Sequence, residues 1–172
     1  MKTFAARLPL LARLRLLLLL AAFPAVMSAG EMQAWLMFNA GSNETLMTTD
    51  FLEKNHLAQG GWKVSGTGVL QSEGGADTAK LFRMVLPTPK AIFRMLVTSQ
   101  DEVNARLKAG FVTEGALGYV SLKAGPGYLA VSRFSKGDKL IWLISAADQK
   151  WAETNGWKRE TNVFWIWPGD YR

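Results

Sequence analysis

Short apolar runs bounded by polar turn residues dominate the chain from about residue 33 onward. Six of them fall into three pairs: AWLMFNA with ETLMTT, KLFRMVL with IFRMLVTS, and LAVSRFS with KLIWLIS. The links GSN, PTPK and KGD within the pairs carry residues that favour tight turns. Short runs rich in β-branched and aromatic residues are typical of strands, so the pattern predicts three β-hairpins.

A helical stretch follows each predicted hairpin, at residues 50–62, 98–111 and 145–157. Each begins with a residue that can cap the first turn, and an acidic residue follows three positions later, as in a capping box. Each ends at a glycine, which can adopt the left-handed conformation that closes a helix, followed by a large aromatic residue. The starting pairs are Asp50 with Glu53, Thr98 with Asp101 and Ser145 with Asp148, and the closing pairs are Gly61 with Trp62, Gly110 with Phe111 and Gly156 with Trp157.

A third strand candidate follows each helix, in WKVSGTGVL, FVTEGALGYV and WKRETNVFWIW. The order strand, turn, strand, helix, strand therefore occurs three times, with Gly-rich connectors between the copies. We predict one α+β domain over residues 31–172, built from three pseudo-symmetric repeats at about 33–78, 79–127 and 128–168. A β-trefoil-like all-β fold is the alternative, since it also has three units of this size, although it would not contain three capped helices.

The repeated segments resemble a bacterial repeat family of unknown function, found in secreted and cell-surface proteins and often joined to cell-wall hydrolases. Its units follow a pattern close to Tyr-Arg-x-Tyr-Asn, His-Phe-Tyr-Thr, a short helix, and Gly-Trp-x-x-Glu-Gly-x-Ala-Phe. The last motif is best kept here, as GWKVSG, GFVTEG and GWKRET, whereas the histidine segment has become TLMT, MLVT and WLIS. The resemblance covers residues 33–168 and implies an extracytoplasmic location more than any particular chemistry.

Residues 1–30 have the order typical of a secretory signal peptide. Four basic residues open the segment, an uncharged apolar run follows at 16–27, and small residues come at 28–30, where we predict cleavage. A membrane anchor is the other interpretation, but Arg13 and Arg15 cut the apolar run short of the roughly 20 residues that a spanning helix needs. We therefore predict export to the periplasm, the cell surface or the medium, with no membrane span after cleavage.

Removal of this leader changes the charge of the protein. The whole chain has 20 Lys and Arg against 14 Asp and Glu, a net charge of +6, and four of the basic residues lie in the leader. The mature part keeps 16 basic and 14 acidic residues, and its basic side chains are scattered, which argues against a nucleic-acid partner. The chain has no Cys, so thiol nucleophiles and disulfides are excluded. We predict a monomer without cofactor or metal.

No catalytic motif stands out in the chain. His56, the only histidine, falls on the predicted first helix, where a histidine is more often packed or solvent-facing than a base or a ligand. Glu114 and Glu160 are weak catalytic candidates, because a pair of carboxylates can hydrolyse glycosides. They occupy equivalent places in two predicted repeats, with Ser65 in the first, and this recurrence favours a structural role.

The seven Trp residues are the other candidates, since flat aromatic rings stack on sugars in exported proteins but also fill cores. Trp62 and Trp157 align with Phe111, and Trp165 aligns with apolar residues in the other repeats, so these predict core positions. Five aromatic residues lack such an explanation and are candidates for ligand binding, with packing against a neighbouring unit as the simpler alternative. They are Trp35, Trp142, Trp151, Trp167 and Tyr171.

These features favour a non-catalytic exported binding or surface-interaction domain, with a cell-wall or other glycan, or another component of the cell envelope, as partner. One alternative is a small glycan hydrolase that uses carboxylates from different repeats. The other is a structural component of an envelope complex, which co-purification would reveal.

Overall fold

The computed structural model describes residues 30–89 and 92–169. Residues 1–29 of the predicted signal peptide and Tyr171 lie outside these residues. Three groups of elements follow one another, each with two strands, a helix and a third strand. Their bounds are β1 Glu31–Asn39, β2 Glu44–Thr48, α1 Phe51–Gln59 and β3 Lys63–Gln71; β4 Thr78–Pro87, β5 Ile92–Val97, α2 Gln100–Lys108 and β6 Val112–Ser121; β7 Leu129–Lys136, β8 Lys139–Leu143, α3 Ala146–Thr154 and β9 Lys158–Ile166.

The three predicted helices and their closing glycines are confirmed. Gly61, Gly110 and Gly156 have φ angles of +83°, +89° and +78°, the left-handed region that glycine enters without a steric cost. In each case the following aromatic residue donates its backbone N–H to the carbonyl five residues earlier, as Trp157 does to Ala152 at 3.0 Å. This is the hydrogen-bond pattern of a Schellman motif, and it fixes the direction in which the next strand leaves the helix.

The start of the second helix differs from the prediction by one residue. Ser99, not Thr98, caps α2, because its hydroxyl oxygen accepts a hydrogen bond from the Glu102 backbone N–H at 3.4 Å. The acidic residue three positions after the cap is therefore Glu102 rather than Asp101. The other two caps, Asp50 and Ser145, are as predicted.

All nine strands belong to one antiparallel sheet. Each hairpin, β1–β2, β4–β5 or β7–β8, pairs along its first strand with the third strand of its own group. The three third strands then meet over short stretches, where Gln71 lies opposite Tyr119 and Ser121 opposite Trp165. A bridge between Val69 and Trp167 returns the end of β9 to β3, with backbone hydrogen bonds of 2.8 and 3.2 Å.

The predicted α+β class is wrong, and an all-β class fits instead. Each helix has only nine residues and buries little: α1 buries none, α2 buries Val103, and α3 buries Asp148 and Ala152. A fold class is set by the layers that enclose the core, and three short helices linking strands of one sheet do not form a layer. The prediction is wrong because capping residues indicate a helix in the sequence whether or not that helix buries a face against the core.

The core lies where the three hairpins meet. The second strands β2, β5 and β8 contact one another, and the main cluster takes buried side chains from every group, among them Leu36, Met84 and Trp142. A second cluster forms around Phe38, Phe134 and Trp157. None of the helices in the described ranges is long and apolar enough to cross a membrane.

A buried carboxylate joins the third helix to the first group. Asp148 is 5% exposed, its Oδ1 lies 2.8 Å from Lys63 Nζ, and its Oδ2 accepts a hydrogen bond from Ser145 Oγ at 2.7 Å. Burial alone would raise the pKa of Asp148, but the hydrogen bonds from Lys63, Ser145 and Ser65 outweigh that effect and hold the pKa below its ordinary value of 3.8. The ionised form of Asp148 therefore stabilises the fold.

Replacing Asp148 with asparagine is expected to lower the free energy of unfolding by about 1–2 kcal/mol at neutral pH, because charge-assisted hydrogen bonds are lost. The loss is no larger because Lys63 is largely exposed, so that solvent screens its ion pair with Asp148. Since the folded-state pKa lies below the unfolded value, this stabilisation is complete above pH 3.8 and is lost as the pH falls through the folded pKa. Urea denaturation of both proteins over a pH series measures the difference, which should shrink only in acid. A difference that does not change with pH would show that the charge of Asp148 contributes nothing.

Candidate functional site

The candidate tryptophans lie at separate places in the fold. Trp142, on β8, is 1% exposed and belongs to the main core cluster, and Trp35, on β1, is 8% exposed beside Phe51. Neither ring offers a free face to a ligand in this structure. Trp142 lies three residues before a helix cap, as do the buried residues Met47 and Leu96 of the other hairpins, which accounts for its burial.

Trp151 and Trp167 are half-buried, and each packs on a different neighbour. The Trp151 ring meets Phe38 edge-on at 5.0 Å, at the border of the second core cluster. The ring centroids of Trp167 and Tyr128 are 5.6 Å apart, and the Trp167 indole N–H donates a hydrogen bond to the Tyr128 hydroxyl at 2.9 Å. No ring contact within the described residues joins any two of the candidate tryptophans. They therefore do not form a common stacking surface.

Glu114 and Glu160 each pair with an arginine on a neighbouring strand. Arg83, on β4, lies with its Nε 2.8 Å from Glu114 Oε2, while its Nη1 donates to Glu53 at 2.8 Å. Arg133, on β7, donates its Nε–H to Glu160. The recurrence of an acidic residue in two predicted repeats indicates Glu114 and Glu160, but it does not indicate the arginines that pair with them. Arg83 and Arg133 add a cross-strand ion pair to the second and third groups of elements.

The charge state of Glu160 suits an anchoring role. Burial alone would raise its pKa, but hydrogen bonds from Arg133 and Ser135 outweigh this and lower the pKa below 4.5. A general acid that works near neutral pH needs a raised pKa instead. His56 is exposed on α1, and the described residues contain no group of three His, Cys, Asp or Glu that could hold a metal ion.

A pocket of about 380 Å³ opens where the second strands of the three hairpins begin. We call it the hairpin pocket. Its wall consists of residues 42–45, 92–95 and 138–140, together with Arg106 near the end of α2 and Phe111 just after that helix. The volume lies within the range of about 300–1,000 Å³ that is usual for small-molecule sites. Each hairpin contributes one segment, so the pocket exists only when the three groups are assembled.

Local turn chemistry fixes two of the three segments. The side-chain oxygen of Asn39 accepts hydrogen bonds from the backbone N–H groups of Gly41 and Ser42, at 2.9 and 3.1 Å. Asn43 then adopts a positive φ of 58°, a conformation that asparagine tolerates better than most residues. Gly137 takes φ of 62° in the tight turn before Asp138 and Lys139. The polar ends of these turns thereby line the pocket at fixed positions.

The lining combines charged, polar and aromatic side chains. Arg94, Arg106 and Lys139 are basic, and two acidic residues, Glu44 and Asp138, oppose them. The aromatic part of the wall is made of two half-buried rings, those of Phe93 and Phe111. Flat apolar faces beside hydrogen-bonding groups are the combination that sugar rings require, because a sugar has both C–H faces and hydroxyl edges.

The sequence alone does not predict this pocket, although some of its residues occupy equivalent positions before the three helices. Thr45, Arg94 and Leu140 all line it, and each lies five residues before the cap of the next helix. An alignment of the hairpins on their final hydroxyl residues places Met95 opposite Thr45 and so overlooks Arg94. Alignment on the helix caps places Arg94 opposite Thr45 and Leu140.

One comparison with known proteins gives a family for most of the chain. Residues 33–167 match the family described as a domain of unknown function, DUF5648. The chain belongs to this family. The DUF5648 match covers nearly the same residues as the resemblance noted above, and it too concerns a family of unknown function. No curated protein and no solved structure matches the chain.

Proposed function

We propose that this DUF5648 chain is a non-catalytic, exported binding domain and that it holds a glycan in the hairpin pocket. The observation that carries the proposal is the composition of the pocket wall. Phe93 and Phe111 supply apolar ring faces, and side chains of residues 42–45, Arg94 and Lys139 supply hydrogen-bonding groups around them. The leader sequence supports the extracytoplasmic setting in which cell-wall glycans are met.

We also propose that the three groups of elements are degenerate copies of one repeat. The same element order and the same Schellman motif occur in each group. Ion pairs between the first and third strands add to this in two groups, through Arg83 with Glu114 and Arg133 with Glu160. In a repeat protein, equivalent ends of neighbouring units commonly build one shared surface. A pocket lined by the starts of β2, β5 and β8 fits that arrangement.

If the glycan binds in the hairpin pocket, a change in the aromatic wall should weaken glycan binding without unfolding the protein. Phe93 is a suitable target, because its half-buried ring lines the pocket and is not among the apolar side chains packed against either core cluster. Phe93→Ala is expected to weaken glycan binding about tenfold or more, as loss of a stacking ring typically does. Binding is measured by NMR or calorimetric titration with peptidoglycan fragments and a panel of mono- and disaccharides.

Phe51 provides a matched control, since it is also a phenylalanine, is 57% exposed on α1 and does not line the pocket. Phe51→Ala should leave binding unchanged. If Phe51→Ala removed binding and Phe93→Ala did not, the site would lie on α1 beside Trp35 rather than in the pocket. If neither neutral nor acidic sugars bound at millimolar concentrations, the proposed function would be wrong.

A further inference from the structure

We propose that the hairpin pocket prefers a sugar that carries an anionic group and that Arg94 is the residue that binds this group. This inference rests on the proposed function, because it concerns which glycan the pocket takes. It goes further in assigning a ligand chemistry and a specificity-determining side chain, neither of which follows from membership of the DUF5648 family.

The first support is the state of the Arg94 guanidinium. Its Nε is buried and has no hydrogen-bond partner within the described residues, although the side chain as a whole is 22% exposed. Its nearest acid is Glu44, whose Oε1 lies 3.6 Å from Arg94 Nη1, too far for a strong charge-assisted hydrogen bond. Buried polar groups in folded proteins are nearly always paired. An oxyanion in the pocket would give the exposed part of the Arg94 guanidinium a partner at hydrogen-bonding distance, which Glu44 does not provide.

Arg83, which does not line the pocket, also has a buried Nε without a hydrogen bond, so Arg94 differs from it only in the distance to its carboxylate. Arg83 is 15% exposed but has acids on two sides at 2.8 Å, and Arg133 donates directly to Glu160. Arg94 alone among these three has its closest carboxylate beyond hydrogen-bonding distance. A guanidinium presents several N–H groups in one plane, which matches two oxygens of a carboxylate or a phosphate.

Lys139 is a second basic side chain of the pocket wall that can act on an anion. Arg106 lies 3.2 Å from Glu102 and beside the Phe111 ring, which holds its guanidinium at the pocket edge. Lys139 makes no ion pair with any residue that the structure describes, so its charge is free to act on a ligand. Because Arg106 is already paired with Glu102, Arg94 and Lys139 are the two basic side chains of the lining that can meet an anion. Arg94 and Lys139 come from different hairpins and reach the pocket from separate segments.

The proposal is tested by titration of the purified protein with glucose, glucuronate and glucose 6-phosphate, which share one ring and differ in charge. We expect glucuronate or glucose 6-phosphate to bind about tenfold more tightly than glucose, and the charged sugar that binds better identifies a carboxylate or a phosphate as the preferred group. The advantage should fall as salt is raised, whereas binding of glucose should not change. Affinities for the three sugars within twofold of one another would overturn this inference and leave the proposed function intact.

Arg94 is tested by two substitutions in the same protein. Arg94→Gln should lower the ratio of the charged-sugar affinity to the glucose affinity from about ten to about one, through a larger loss for the charged sugar than for glucose. Arg94→Lys should keep part of the preference, because it retains the charge without the planar fork. Arg133→Gln is the matched control, since it breaks an arginine–glutamate pair outside the pocket.

Circular dichroism establishes that each variant is folded. A preference unchanged in folded Arg94→Gln would overturn the assignment of Arg94. If Arg94→Gln does not fold, Arg94→Lys decides instead: a reduced preference for the charged sugar supports the assignment, and a full preference overturns it.

Discussion

Replacing Trp142 with alanine is expected to lower the free energy of unfolding by about 3–5 kcal/mol, the usual cost of removing a large aromatic side chain from a core. The ring is 1% exposed and lies in the main cluster with side chains from all three hairpins. The backbone N–H of Trp142 also donates to the Thr45 hydroxyl at 3.0 Å, which ties β8 to β2. A cavity at this point would therefore loosen the contact between separate groups, and urea denaturation measures the loss.

A conservative variant separates ring volume from the indole N–H. Nε1 of Trp142 is buried and has no hydrogen-bond partner among the described residues. Trp142→Phe removes that unpaired donor while keeping much of the apolar volume, so we expect a loss below about 1.5 kcal/mol. Trp151→Ala, at a half-buried ring, should cost less than Trp142→Ala. A loss below about 1 kcal/mol for Trp142→Ala would contradict the core position of this ring.

The local features of this fold could be predicted from sequence because local chemistry determines them. A capping residue, a closing glycine and the aromatic residue that follows need no distant partner, and the structure places Gly61, Gly110 and Gly156 in the predicted conformation. Fold class could not be predicted in the same way. Capping residues and a closing glycine predict that nine residues form a helix, but they do not predict how much of its surface is buried. In α1 no residue is buried.

The burial of Trp142 was missed for a different reason. Its surroundings come from strands that lie far apart in sequence, and the correct comparison between hairpins depends on where each helix starts. Alignment of the first hairpin on Thr48 instead of its helix cap Asp50 places the polar Thr45 opposite Trp142, and this shift changes which positions correspond. With the caps aligned, Trp142 corresponds to Met47 and Leu96, both buried.

The same shift concealed the hairpin pocket. Tryptophans are conspicuous in sequence, and for that reason they stand out as candidate binding residues. Arg94, by contrast, is one arginine among many until three strand ends are brought together around it. Its significance comes from its place in the pocket wall and from a Glu44 carboxylate 3.6 Å away, and both are properties of the assembled fold. No pattern along the chain contains that information.

Replacing Gly68 with alanine is the second substitution with a large expected effect, about 3 kcal/mol of unfolding free energy, at the upper end of what an overfilled core usually costs. A Cβ added at Gly68 would lie 2.6 Å from Ile166 Cδ1 and 2.7 Å from the Trp167 carbonyl oxygen. The side chain of Ile166 could rotate, but the carbonyl is backbone. That same carbonyl accepts the hydrogen bond from the Val69 N–H at 2.8 Å, so relief of the clash would break the bridge between β9 and β3.

Gly75→Ala is the matched control for Gly68→Ala, because a Cβ there meets nothing within 4 Å and the residue needs no left-handed φ. We expect it to change stability by no more than about 0.5 kcal/mol. Urea denaturation compares the two variants, and native-state hydrogen exchange at the Val69 and Trp167 amides reports the bridge itself. Faster exchange at these two amides in Gly68→Ala alone is the expected result, since the clash acts on the pair that returns β9 to β3. Equal stability and equal exchange in both variants would mean that the close approach at Gly68 does not hold this junction together.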